Sequence, residues 1–261
     1  MYTHNLDPVL IDFGFIVIRW YSLAYIFGII IGWWLGKKFI SHILKSTNLK
    51  FNLSDFDDLI TYLIISIIIG GRLGYVIFYN LEYYISSPLD ILKVWEGGMS
   101  FHGALIGIVA GTYFFSVKKK VPALFLLDII ASVSPIGIFF GRIANFINAE
   151  LVGKISSVPW SVIFPTVDML SRHPSQLYEA LLEGLILFIM LSTIILKKEY
   201  KMGTCSSIFL IFYGIFRIIS EFFRQPDVQI GYIFNLFSMG TILSFFMILV
   251  GLVILGVTKK I

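Results

Sequence analysis

Apolar residues run along this chain in stretches too long for strands and too uniform for amphipathic surface helices. Seven can be drawn, at about Phe15–Gly36, Leu59–Tyr79, Met99–Val117, Leu124–Phe146, Gln176–Leu196, Thr204–Phe222 and Leu236–Val257. Each matches the roughly 20 residues a helix needs to cross a hydrocarbon core about 30 Å thick. The pattern predicts an all-α, polytopic membrane bundle of seven transmembrane helices. The third stretch is the weakest: Gly97-Gly98 and Gly103 interrupt it and His102 sits inside it, so a broken or re-entrant helix is the alternative there. No internal repeat and no low-complexity linker is visible.

Composition removes whole classes of function. Of 261 residues, 57% are hydrophobic and 14% charged, against about 45–50% and 25% in soluble domains. A water-soluble globule, a disordered chain and a nucleic-acid module are excluded. Seven spans with short connections use up the length, which leaves one integral-membrane domain over residues 1–261. Cys205 is the sole cysteine, so neither an internal disulfide nor a cysteine metal cluster is expected, and it reads as a packing residue. Met1–Gly14 holds no Lys or Arg, so the first stretch reads as a retained span rather than a signal peptide.

The net charge is +4, and its distribution says more than its size. One set of connections holds Lys37, Lys38, Lys45 and Lys50, then Lys118, Lys119 and Lys120, then Lys197, Lys198 and Lys201, then Lys259 and Lys260. The alternate set holds Lys93, Lys154, Arg172 and Arg224, so the balance is twelve against four. Positive charge gathers on cytoplasmic loops. That places the N-terminus outside and the C-terminus in the cytoplasm, which requires an odd number of spans.

The chain uses fourteen Lys but six Arg, and no Arg falls in a predicted cytoplasmic segment. Arg19, Arg72, Arg142 and Arg217 lie within spans or at their ends. An arginine at the middle of a span costs about 2.5–3.5 kcal/mol on insertion scales. What arginine offers over lysine is a fixed charge and a planar fork that binds phosphate or carboxylate through two parallel hydrogen bonds. Structural ion pairing and snorkelling are the plainer readings, and for Arg19 and Arg72 the two weigh about equally.

Four segments gather polar residues at the outer ends of spans. In Ser100–Gly107, His102 is a titratable group among glycines and a candidate general base. In Gly141–Gly153, a continued helix would place Arg142, Asn145 and Ala149 on one face, an arrangement suited to an anionic headgroup; a polar helix end capped by Asn148 and neutralised by Glu150 is the alternative. In Arg172–Glu179, Pro174 suits a first helical turn, and Gln176, Glu179 and Glu183 line one face as counter-ions. In Tyr213–Asp227, Tyr213, Arg217, Glu221 and Arg224 step along one face, and Arg217 can pair with Glu221. Tyr21 ends the first span as a possible interfacial anchor.

Several chemistries find no support. There is no His-Glu-x-x-His, no Gly-x-Ser-x-Gly, and Asp128 is the only aspartate inside a span. What remains is an arginine-rich, metal-free site toward the outer leaflet, suited to an enzyme acting on anionic lipid or to an anion transporter. A transporter would favour an inverted repeat between halves, which the chain lacks.

The same residues carry a resemblance that covers nearly the whole chain. Gly141-Arg142-Ile143-Ala144-Asn145-Phe146-Ile147-Asn148-Ala149-Glu150 followed by Gly153 resembles the signature of bacterial prolipoprotein diacylglyceryl transferases. So do Trp20-Tyr21, Gly70-Gly71-Arg72-Leu73-Gly74-Tyr75, Gly97–Gly103, Arg172–Glu179 and Glu221–Asp227. Ala104 departs from the glycine more usual in that family. The resemblance implies a cofactor-free, seven-span enzyme of the bacterial inner membrane, with its active site toward the periplasm. Its partners would be phosphatidylglycerol, prolipoprotein signal peptides bearing a lipobox cysteine, and membrane lipid. The sn-1,2-diacylglyceryl group would pass to the cysteine thiol, forming a thioether and releasing glycerol phosphate, as the first step of lipoprotein maturation.

By the same resemblance Arg142 binds the lipid phosphate and Arg217 is the second essential arginine. Tyr21, His102, Asn145, Glu150, Gly153 and Glu221 match positions of importance, and Tyr213 joins the substrate-binding set. Negative charge moves toward the leaving phosphate, which fixed guanidinium groups would stabilise. His102 is the candidate base for the thiol proton; lipid orientation is its alternative role, with water or phosphate accepting the proton instead.

Overall fold

A computed structural model describes the backbone of residues 2–197, 200–225, 232–233 and 237–260, and the side chains of all of these except 96, 101, 102, 232, 233, 237, 259 and 260. Lys198, Pro226, Asp227 and Leu236, used above, therefore lie outside the described residues, as does the His102 side chain. The long helices are α1 (Trp20–Leu44), α2 (Leu53–Tyr79), α4 (Phe101–Lys119), α5 (Ala123–Ile147), α8 (Thr204–Glu221) and α9 (Met239–Gly256), with a short α3 (Leu81–Ser86) after α2. Between α5 and α8, α6 (Ser175–Glu179) passes through a π-helical segment, Ala180–Ile186, into α7 (Leu187–Ile195). Six helices among the described residues are long and apolar enough to cross a membrane: α1, α2, α5, the composite Ser175–Ile195, α8 and α9. The molecule is a polytopic helical membrane protein. α4 is not among the six, yet it is an unbroken helix of 19 residues, about 28 Å long at 1.5 Å per residue, so the glycines of the third stretch neither break nor fold it back.

The first span begins later than the apolar pattern predicts. Residues 15–19 belong to a hairpin of Val9–Asp12 with Val17–Arg19. Asp12 Oδ1 accepts the Gly14 N–H at 2.7 Å, and Gly14, at φ +80°, supplies the left-handed residue the turn requires. Phe15 stands at the tip, 85% exposed, and helix starts only at Trp20.

The chain divides into two compact units, Leu44–Leu127 and the remainder, Met1–Ile43 with Asp128–Ile261. In the smaller unit α2 and α4 meet along a seam of small residues. A Cβ on Gly70 would fall 2.9 Å from the Gly107 Cα, and one on Gly74 would fall 2.7 Å from the Gly103 Cα. Backbone meets backbone there, the close approach that small residues permit in membranes. Ser100 Oγ caps α4 by accepting the Gly103 N–H at 3.2 Å. At the other end of the pair, Lys119 Nζ reaches Asp55 at 2.5 Å and Asp58 at 3.0 Å.

Arg72, buried in α2, serves this unit's connecting segment. It donates from Nε to Ile91 O (2.8 Å), from Nη1 to Gly97 O (2.6 Å) and Gly98 O (3.3 Å), and from Nη2 to Asp90 O (2.6 Å) and Lys93 O (3.2 Å). These five acceptors are backbone carbonyls, and the guanidinium lies over the Tyr84 ring. Gly97 and Gly98 take φ +87° and +75° to turn those carbonyls inward. Of the two readings open for Arg72, this geometry is the structural one.

In the larger unit α1 crosses α5 closely at Gly28 and Gly137, and α8 packs on α9 through Gly214 and Gly251. Asp128, buried in α5, accepts from Gly203 N (2.6 Å), Ser206 N (2.6 Å), Ser206 Oγ (2.5 Å) and Tyr200 OH, and so caps the start of α8. Cys205 is buried there too. Past α5, Val162–Ile163 pairs in parallel with Tyr2–Thr3 and antiparallel with Ser171–Arg172. These strands cover an apolar cluster of Ala149, Val152, Val162 and Phe164. Lys201–Met202 pairs with Lys259–Lys260.

The glycine seam is directly testable. Gly70→Ala forces a methyl into the α4 backbone, and overpacking of this kind costs about 1–3 kcal/mol; thermal unfolding in detergent should show the loss. Gly137→Ala, whose added Cβ meets nothing within 4 Å, should unfold at or above the unmodified temperature.

Candidate active site

Three helix segments of the larger unit bring three arginines and three glutamates together. α5 carries Arg142 near its end. α6 and the π-helical turn carry Glu179 and Glu183, both without solvent exposure. α8 carries Arg217 and Glu221, and Arg224 follows its last turn. Arg142 Nη1 lies 2.9 Å from Glu179 Oε2 and Arg142 Nη2 lies 3.1 Å from Glu183 Oε2. Arg217 Nη1 donates to Glu179 Oε1 at 2.6 Å and lies 3.8 Å from Glu183 Oε1, while its Nη2 pairs with Glu221. Arg224 reaches Glu221 at 3.6 Å and Glu179 at 3.9 Å. Tyr213, one turn before Arg217, faces Glu183, Arg142 and Arg217.

The sequence reading of Glu179 and Glu183 as counter-ions describes this arrangement, as does the Arg217–Glu221 pair. The π-helical turn that joins the glutamates was not legible. Such turns favour functional sites, and here Gly184 lets the segment lie against α5 at Phe139, where a Cβ would fall 2.7 Å from the Phe139 Cβ.

One turn beyond Arg142, Asn145 Nδ2 donates to Glu150 Oε2 at 3.1 Å and to Tyr21 OH at 3.4 Å, and Asn148 Nδ2 donates to Glu150 Oε1 at 3.4 Å. The expected face of Arg142, Asn145 and Ala149 is only partly formed. α5 ends at Ile147, and Ala149 takes φ +55°, which turns the chain out of the helix before Ala149 can join that face. Glu150 therefore anchors the amides instead of neutralising Arg142.

The segment Glu150–Lys154 ties the helix ends together. Gln176 Nε2 donates to Glu150 O at 2.6 Å, and Ser175 Oγ to Leu151 O at 3.1 Å. Gly153 N donates to His173 O at 3.1 Å, and Lys154 N to Phe223 O at 2.8 Å. A Cβ on Gly153 would fall 2.7 Å from that of His173, so this position admits no side chain. Gly153 thus lies in the cap over the helix ends, outside both side-chain clusters. Lys154 Nζ also donates to Glu221 O and Phe222 O at the end of α8, a favourable place for a cation.

Arg172 completes the cap, pairing with Asp168 and donating to Gly153 O (2.9 Å) and Gln225 Oε1 (2.5 Å). Its guanidinium holds the Asp168 carboxyl below the usual carboxylate range. His173 packs on Phe223 and Tyr178. Burial, and then the nearby Lys154 charge, push its imidazole below the usual histidine value. His102 belongs to the smaller unit, as the second residue of α4. Among the described residues no cluster of three His, Cys, Asp or Glu is placed to hold a metal ion.

A family model described as prolipoprotein diacylglyceryl transferase matches residues 8–257. The chain is 51% identical over 249 residues to the phosphatidylglycerol–prolipoprotein diacylglyceryl transferase of Rickettsia felis, with 95% of each chain covered. It is 49% identical over 257 residues to the protein of that name from Rickettsia bellii, covering 98% of this chain and 96% of the relative. The Rickettsia typhi protein of the same name is 50% identical over 253 residues, 96% of each. With its arginine-rich, membrane-embedded cluster and this likeness along almost its whole length, the chain belongs to the prolipoprotein diacylglyceryl transferase family.

Proposed function

We propose that this protein transfers the sn-1,2-diacylglyceryl group of phosphatidylglycerol to the lipobox cysteine of prolipoproteins, with Arg142 and Arg217 gripping the lipid phosphate. Family membership supports the reaction. The observation that carries the site assignment is the inequality within the buried cluster: Glu179 and Glu183 have no exposure, whereas the Arg142 side chain keeps 17%. The cation is the side of the cluster open to a ligand, so the ligand is an anion.

In the reaction the thiol sulfur loses its proton and forms a bond to the glycerol carbon. The bond from that carbon to the phosphate oxygen breaks, and its electron pair leaves with glycerol phosphate. Donors already fixed at that oxygen stabilise the developing charge without reorganising. Tyr21, Asn145, Glu150, Tyr213 and Glu221 position the lipid around this centre, Gly153 keeps the overlying cap closed, and His102 takes the thiol proton. The reaction draws on no cofactor, and the chain acts as one transferase domain.

Strand pairing supports seven crossings. Tyr2–Thr3 pairs with Val162–Ile163, so the N-terminus and the connection after α5 share a side of the membrane. Between them lie α1, α2, α4 and α5, and only with α4 crossing is the number even. Lys201–Met202 pairs with Lys259–Lys260 across α8 and α9, which gathers lysines on the opposite side. By the positive-inside rule that side is cytoplasmic, leaving the arginine site toward the periplasm of a bacterial inner membrane.

Three experiments test these assignments. Arg142→Lys keeps the charge but loses the fork, so it should accumulate normally yet lose about 10²–10³ in transfer rate to a lipobox peptide, with Arg217→Lys also impaired; near-normal transfer would refute the clamp. His102→Gln should slow transfer far more than it weakens lipid binding, and an unchanged rate removes His102 from the chemistry. In a Cys205→Ser background, an impermeant thiol reagent applied to intact spheroplasts should label a cysteine at Lys154 and spare one at Lys119; labelling at Lys119 reverses the orientation.

A further inference from the structure

The connection from α2 to α4 exposes large apolar side chains where a loop in water would carry polar ones. Ile85 in α3 is 71% exposed, and Leu89, Leu92 and Trp95, in the 3₁₀ turns Pro88–Leu92 and Val94–Glu96, are 78%, 70% and 76% exposed. A cluster of this kind marks a surface that meets a membrane or another protein. Two of the segment's charges are paired: Lys93 Nζ lies 2.6 Å from Asp90 Oδ1, and Asp90 Oδ2 accepts Tyr83 OH at 2.5 Å. The apolar surface does not begin with the connection. Leu73, Ile77 and Phe78, in the last two turns of α2, are also exposed, and α2 is long and apolar enough to cross a membrane.

Whether an irregular segment can approach hydrocarbon depends on its backbone. Carbonyls outside a regular ladder draw hydrogen bonds from water, and a bare one is strongly penalised where water is absent. Here Arg72 stands in for water, donating to the carbonyls of Asp90, Ile91, Lys93, Gly97 and Gly98. The segment adds its own bonds, Ser87 N to Tyr83 O at 2.9 Å, Asp90 N to Ser87 O at 3.1 Å and Lys93 N to Asp90 O at 3.2 Å. Tyrosines flank it. Tyr75 stacks on Tyr79 and meets Tyr84 edge-on, and Tyr84 meets Tyr83 in the same way. Such rings, apolar in body and polar at the tip, gather where a bilayer meets water.

We propose that residues 81–95 form an interfacial element seated in the leaflet at that end of α2, with Ile85, Leu89, Leu92 and Trp95 among the upper acyl chains. Arg72 is the internal donor that fits its irregular backbone for that depth. Elements of this kind lie in the membrane plane, their apolar side chains buried about 5–10 Å into the boundary between headgroups and acyl chains. The partner is bilayer lipid and not a polypeptide, for two reasons. The exposed apolar residues follow directly on those of a spanning helix, and a protein docking from water would leave loop carbonyls free to bond solvent. The inference is independent of the phosphate assignment for Arg142.

The test uses the full-length protein with Cys205→Ser and Leu89→Cys, carrying a nitroxide label, in nanodiscs of phosphatidylethanolamine and phosphatidylglycerol. Power-saturation spectra report collisions with oxygen, which concentrates among acyl chains, and with nickel ethylenediaminediacetate, which stays in water. Ile69→Cys, exposed in the middle of α2, and Asn48→Cys, exposed between α1 and α2, calibrate the two limits. At Leu89 nickel collisions should be about fivefold or more below those at Asn48, with oxygen collisions within about twofold of those at Ile69. Collisions at Leu89 that match Asn48 overturn the proposal and leave the surface to a polypeptide partner. Should Leu89→Cys fail to accumulate, a label at Trp95→Cys gives the same reading with the same outcomes. Arg72→Lys loses the fork that reaches five carbonyls, so the shielding at Leu89 should fall toward the Asn48 level while helical circular dichroism holds. Unchanged shielding there overturns the part given to Arg72. If Arg72→Lys does not accumulate, the labels beside the native Arg72 still decide whether the segment lies in lipid.

Discussion

A guanidinium carried out of water keeps its charge, because arginine is not deprotonated in proteins, and so it must be met by acceptors wherever it is buried. In the larger unit Arg142 and Arg217 share one such partner, beside Glu183 and Glu221. Glu179 sets one oxygen on Arg142 and the other on Arg217, so a single carboxylate from α6 fixes an arginine from α5 to an arginine from α8. Breaking a buried pair by removing one partner typically costs about 3–5 kcal/mol, because a bare charge is left behind. The convergence of three helix segments at this point is therefore an electrostatic requirement as much as a packing outcome.

Arg72 and Arg142 show how identical side chains serve different ends according to their acceptors. Arg72 spends its donors on five carbonyl oxygens of one connecting segment. Carbonyls in a folded loop cannot be exchanged for a ligand without unfolding that loop, so such an arginine is a staple. Arg142 is met by carboxylates on long side chains and remains partly exposed. Those acceptors are side-chain groups, whose positions are not set by the folding of one connecting segment. The difference lies in what the acceptor can afterwards do, and neither burial nor residue type reveals it.

The sequence made the helices legible because each spanning segment is apolar over its whole length, and it made the arginines legible because charge is conspicuous there. Glu179, Glu183 and the Arg217–Glu221 pair follow from the need for counter-ions. What stayed hidden depends on backbone geometry. Phe15–Arg19 is as apolar as a span, but the Asp12 and Gly14 turn folds it into a hairpin. The π-helical turn leaves the apolar pattern of Ser175–Ile195 unbroken while changing which residues face α5. Ala149 continues the helical spacing, and only its positive φ removes it from the Arg142 face. Asp128 stood out as the one aspartate inside a span, but its partners at Tyr200, Gly203 and Ser206 lie more than seventy residues away.

Side chains that must meet within a few tenths of an ångström need helix ends that do not drift, and the five residues Glu150–Lys154 supply that. Their carbonyls and amides bind Gln176 and Ser175 at the start of α6, His173 before it, and Phe223 after α8, while Asn145 of α5 reaches Glu150 directly. Arg172 adds a charged bond to Gly153 O. All three helix segments bearing the arginines and glutamates thus end on one short piece of backbone. Gly153 lies in the middle of it, so close to His173 that any side chain would force the strands apart. The length of a side chain such as arginine tolerates small errors at its root, but a planar fork tolerates few at its tip. A rigid tie through the main chain, with the cluster one turn beneath it, is how this chain keeps that tip in place while leaving one edge of Arg142 open.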